Sequence, residues 1–134
     1  MMNINEIKET FELMDEWEDR YRYIIDLGRN LPDFDKKDQT EANRVHGCTS
    51  QVWLIYEKNG ETVLFKGNSD AHIVRGLVYI IITIFSRQTP QQILDTDAAV
   101  ILTELGLSQH LSPMRTNGLF SMVERIKEIG RSFC

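Results

Sequence analysis

The sequence predicts an α+β fold: a small antiparallel sheet, made of a hairpin over 50–66 plus one further strand, covered by several helices. Three observations predict it. Residues 50–58 and 61–66 alternate their apolar side chains with period two on either side of Asn59-Gly60, a dipeptide suited to a tight hairpin turn. Before and after this region, apolar residues recur at spacings of three and four, the helical period. The chain has 134 residues and is 42% hydrophobic, enough to fill one core, so a single domain over 1–134 is expected.

Ile4, Ile7, Phe11 and Met14 place a first amphipathic helix over 4–14. Asp15, with Glu18 three residues on, predicts the cap of a second helix. Trp17, Tyr21, Ile24, Ile25 and Leu27 form its apolar stripe, and Gly28 is expected to stop it. From Arg29 to Gly47 the chain is polar and aperiodic, a long connection of the kind that is functional or disordered. Its position just before Cys48 favours function. The two strands follow, with Val52, Leu54 and Tyr56 opposite Trp53 and Ile55, then Val63 and Phe65 opposite Leu64.

Ser69 is expected to cap the longest helix, Asp70 to about Arg87, which is apolar nearly all round and therefore belongs in the core. Thr89-Pro90-Gln91-Gln92 predicts a capping box with proline in the first turn. Asp97 to Leu105 reads as a further helix stopped by Gly106. After Ser112-Pro113, Leu119, Met122, Val123, Ile126 and Ile129 mark a last amphipathic helix.

Charge and cysteine usage narrow the function. Fifteen basic residues against twenty acidic ones give a net charge of −5, which argues against nucleic acid as a partner. The two cysteines, Cys48 and Cys134, cannot make a disulfide-dense secreted scaffold. The opening residues Met1 to Glu6 lack the basic start and apolar run of a signal peptide. The longest charge-free apolar stretch, Gly76 to Ser86, is about half of the roughly 20 residues a bilayer span needs. A cytoplasmic, reduced protein without a membrane partner is expected.

Cys48 sits in Val45-His46-Gly47-Cys48-Thr49-Ser50, between the polar connection and the first strand. Gly47 allows a backbone turn beside it, and a loop held by a rigid strand can present a thiol to another protein. Cysteines in such places are also often small buried hydrophobes, and local pattern alone leaves both readings open. His46 reads as a loop histidine rather than a base, His110 has no partner signal, and Cys134 reads as a spare exposed thiol.

Three strings together resemble the SufE family of sulfur-acceptor proteins: VHGCTSQVWL (Val45 to Leu54), GNSDAHIVRGL (Gly67 to Leu77) and LSPMRTNGL (Leu111 to Leu119). Trp17 to Pro32 fits as well, so the resemblance runs in order over most of the chain. It implies a fold shared with scaffold proteins of the IscU type. It also implies that Cys48 accepts persulfide sulfur from a pyridoxal-dependent cysteine desulfurase of the SufS or CsdA kind. The sulfur then passes to an iron–sulfur scaffold complex, and no metal or cofactor is needed on this chain.

The same resemblance puts Arg115 opposite the cysteine loop, where a cation favours a thiolate or persulfide anion. It brings Asp70 and His72 near that loop, although Asp70 alone reads as an ordinary helix N-terminal acid. The resemblance implies a partner that activates an enzyme and is not itself one, whether monomer or homodimer. Two other readings stand beside it. An iron–sulfur scaffold needs several ligands, and Cys48 has no second cysteine near it in sequence. A cysteine hydrolase using His72 or His110 lacks a recognisable oriented base, and a plain adaptor would leave the thiol incidental.

Overall fold

A computed structural model describes residues 3–134, so Met1 and Met2, where the leader reading began, lie outside the described residues. Helix α1 (Ile4–Glu12) and helix α2 (Trp17–Arg29) come first, then two 3₁₀ turns at Lys36–Asp38 and Glu41–Asn43. Strands β1 (Val52–Asn59) and β2 (Thr62–Ser69) follow, then α3 (His72–Phe85), α4 (Pro90–Asp95), α5 (Ala98–Glu104), α6 (Leu107–His110) and α7 (Pro113–Ser132). This is the α+β arrangement that the sequence predicts.

Helix α3 occupies the middle. Every residue from Ile73 to Phe85 except Arg75 is buried, because β2, α2 and α7 all pack against it. Despite this apolar character, no helix among the described residues is long and apolar enough to cross a membrane. In β2, Val63, Phe65, Gly67 and Ser69 face the core, as period-two alternation requires. In β1, Val52, Trp53 and Leu54 are all buried, so both faces are covered at the end nearest Cys48.

Several local expectations give way to tertiary pairing. The hairpin turns at Gly60-Glu61, one residue later than expected, since Asn59 pairs with Thr62. Only Gly60 takes positive φ (63°), the pattern of a type II′ turn instead of type I′. Ser69 does not cap α3. It ends β2 opposite Val52, its hydroxyl accepts from the Ala71 N–H (3.3 Å), and Ala71 occupies the cap position. Asp15 likewise yields its expected place to Glu16, and no side chain caps α2.

The further strand does not form among the described residues, where the sheet has two strands. Single bridges, Arg44 to Trp53 and Gln88 to Val63, stand in its place. Neither can lengthen: Gly47 reverses the chain at φ 93°, and Gln88 lies between Arg87 at φ 57° and the helix that starts at Pro90.

Gly28 does not end α2 but lies within it. A Cβ there would meet the Gly76 nitrogen of α3 at 2.6 Å, and a Cβ on Gly76 would run into the Ile24 carbonyl. The two glycines therefore allow α2 and α3 to cross backbone against backbone. Other signals hold as read: the Thr89–Gln92 capping box, Gly106 at φ 74° and the Ser112-Pro113 start of α7, while Asp97 caps α5 instead of opening it.

Candidate functional site

The Cys48 loop is clamped at its base on two sides. On one, the Val45 N–H donates to the Val52 carbonyl at 2.8 Å, next to the Arg44–Trp53 bridge. On the other, the Gln51 N–H donates to Asp70 Oδ1 (3.0 Å) and the Asp70 N–H donates to the Gln51 carbonyl (3.3 Å). Asp70 is thus not the helix cap, and it is not among the residues that line the Cys48 cavity. It ties the residue three positions after Cys48 to the end of β2, which fixes the loop's exit.

Between these clamps the tip lies on α7. A Cβ on Gly47 would run into the Ser121 hydroxyl, and its φ of 93° is itself unfavourable for side chains. Both constraints require glycine before Cys48. The Cys48 thiol donates to the Gly118 carbonyl at 3.5 Å, and a Cβ on Gly118 would lie 3.3 Å from the sulfur. Gly118 therefore gives the thiol its seat, a role that the sequence shows only as one letter in LSPMRTNGL.

Cys48 is half-buried and reduced. It lines a small cavity with Val74, Leu77, Met114, Arg115 and Leu119, among others, whose volume is about 20 Å³. Roughly 10–15 Å³ holds one water-sized group, so the cavity has room for one added atom and none for a substrate molecule. Its walls are mostly apolar, with Thr49, Ser50 and Arg115 as the polar lining residues, and Arg115 Nη1 is buried without a hydrogen-bond partner. Burial pushes the Cys48 thiol above the ordinary cysteine range, and the nearby positive charge of Arg44 opposes that shift.

The expected site residues thus separate. Cys48 and Arg115 share the cavity, Gly47 shapes the turn and Asp70 holds the base. His72 is exposed at the start of α3 and is absent from the cavity wall. His46 is exposed and faces Glu41, with Nε2 3.1 Å from its carboxylate, away from any role as base to Cys48. His110 stacks on Trp17, ring centroids 4.1 Å apart, and Cys134 is exposed at the chain end. Among the described residues, no three His, Cys, Asp or Glu side chains converge as a metal site.

Two contributors escape the sequence reading, Arg44 and Gly118. Arg44 lies in the polar connection, where nothing in the local pattern marks it. Only its bridge to Trp53 places it at the foot of the cysteine loop.

The comparisons agree with this architecture. Residues 5–130 match the model of the SufE family, described as an Fe-S metabolism associated domain. An uncharacterised SufE-like protein of Rhizobium meliloti (strain 1021) is 48% identical over 131 residues, 95% of this chain and 94% of that protein. One from Rhizobium etli is 45% identical over 132 residues, 96% of this chain and 89% of that protein. A hypothetical protein from Thermus thermophilus, solved in solution, shares the fold with a TM-score of 0.77 at 18% identity. That match covers 96% of this chain and 93% of the other. With nearly its whole length matched, the chain belongs to the SufE family, whose domain is associated with Fe-S metabolism.

Proposed function

We propose that this protein is a sulfur carrier: Cys48 takes persulfide sulfur from a cysteine desulfurase and passes it to an iron–sulfur scaffold. The observation that carries the reading is the seat of Cys48. A lone thiol on a glycine turn, clamped at its base and set against a one-atom apolar cavity, suits holding a single sulfur atom. Membership in a family associated with Fe-S metabolism supplies the context.

In the proposed step the Cys48 thiolate attacks the outer sulfur of the desulfurase persulfide. A bond forms between Cys48 Sγ and that sulfur. The sulfur–sulfur bond in the desulfurase breaks, and its cysteine leaves as thiolate. The proton on the outer sulfur travels with it, so the step is balanced and needs no oxidant or reductant, like thiol–disulfide exchange. Arg115, a lining residue of the cavity, brings a positive charge beside the anion that a persulfide becomes on losing this proton. The carrier works in the reducing cytoplasm, where thiols persist, and has no turnover of its own.

The test is desulfurase turnover on free cysteine with and without this chain. The wild-type protein raises the rate and Cys48→Ser does not. Equal stimulation by the serine variant would make the protein an adaptor with an incidental thiol.

A further inference from the structure

The walls of the Cys48 cavity differ in what can move. Val74, Leu77, Leu119 and Met122 are buried in the core and cannot swing away without leaving a void. Gly118 has no side chain, and its carbonyl holds the thiol of the docked tip at 3.5 Å. Met114 is different. It lines the same cavity and yet is 60% exposed, so its side chain is wall and mouth at once. Its backbone is fixed, because Ser112 caps α7 by accepting from the Arg115 N–H (3.2 Å) and Pro113 opens the helix. What remains free is an unbranched side chain with three rotatable bonds. A single exposed apolar residue is ordinary on a protein surface; the shared cavity is what sets this one apart. We propose that Met114 gates the Cys48 cavity and is a specificity-determining residue. It keeps small reagents from the sulfur while the tip is docked and leaves Cys48 to a partner that lifts the tip.

The purpose of such a gate rests on the reading of Cys48 as sulfur acceptor, but its action on the bare thiol does not. A cavity of about 20 Å³ has room for one added atom, so a sulfur carried on Cys48 fills it. Any small reagent must then come from the mouth. A small thiolate arriving there would attack the outer sulfur, take it as its own persulfide and release Cys48 as thiolate. The cargo would be lost to the thiol pool. A movable apolar side chain across the mouth opposes that loss and leaves the loop, with its clamped base, to answer to larger partners.

The experiment compares iodoacetamide, a small reagent, with a bulky maleimide on the free full-length chain, reading the Cys48 peptide by mass spectrometry. Cys134, which is exposed, serves as the reference thiol in the same sample. Met114→Ala should raise the iodoacetamide rate at Cys48, relative to Cys134, by roughly two- to tenfold, the worth of ordering one flexible side chain. The maleimide ratio should stay as in the wild type, because the tip is still docked. Met114→Leu, which covers a similar area, should restore the wild-type iodoacetamide ratio. An unchanged iodoacetamide ratio in Met114→Ala overturns the proposal. So does an equal gain with both reagents, which would mean that the substitution had loosened the tip, and so does a Met114→Leu as fast as Met114→Ala. Because no desulfurase is present, the sulfur-carrier reading can fail while this result stands, and the reverse.

Discussion

At Cys48, two opposed physical effects meet on one atom. Burial favours the neutral thiol, and the charge of Arg44 favours the thiolate; burial is the larger. The native protein should therefore alkylate at Cys48 with a higher pH midpoint than the same chain unfolded in urea. The sign for stability follows. The raised native value means that Cys48 favours folding below the unfolded thiol pKa, and this contribution is lost as pH rises through the native one. A native midpoint at or below the unfolded one would contradict this account of the seat. Arg115 gives a second test at this scale. Arg115→Ala should slow sulfur uptake by roughly tenfold, the worth of a charge-assisted hydrogen bond, while the urea midpoint stays near wild type. An unchanged uptake rate would remove Arg115 from the site.

Among the elements, the crossing of α2 and α3 is the most demanding contact. Gly76 has the Ile24 carbonyl where its Cβ would be, and its neighbours in α3 are buried apart from Arg75, so the helices must separate to accept a methyl group. Gly76→Ala should cost about 3 kcal/mol in urea denaturation, at the upper end for overpacking a filled core. A loss below about 1 kcal/mol would mean that the crossing is loose. This contact also shows what sequence reading could and could not reach. Capping boxes and proline starts were legible because they are local: Thr89, Gln92, Ser112 and Pro113 act within one turn. Gly28 looked like a stop because its reason lies across the core, on Gly76. Ser69 and Asp70 looked like a helix start for the same kind of reason: their partners, Val52 and Gln51, lie on the other strand or next to it.

Over the whole molecule, the design brings three distant segments to one thiol. The loop carries Cys48, the β2–α3 junction holds the loop's exit through Asp70, and α7 supplies Gly118, Ser121 and Arg115. The candidate site was legible as far as its motif strings reached, since these strings lie in the same three segments. Arg44 and the seat on Gly118 were not, since neither follows from local pattern. If Cys48 is the proposed sulfur acceptor, the clamped base and docked tip require the tip to lift from α7 before a large partner reaches the thiol. In the free protein, a bulky maleimide should therefore modify Cys48 at least tenfold more slowly than a small thiol reagent, after each rate is scaled to a free thiol. Equal scaled rates would mean that the loop is already open.

The most direct measurement is the mass of the Cys48 peptide after incubation with a cysteine desulfurase and free cysteine, without reductant. The account predicts added sulfur on that peptide, removed by a thiol reductant, and none on the peptide that ends at Cys134. Sulfur on Cys134 alone, or none on Cys48 while the desulfurase turns over, would contradict it.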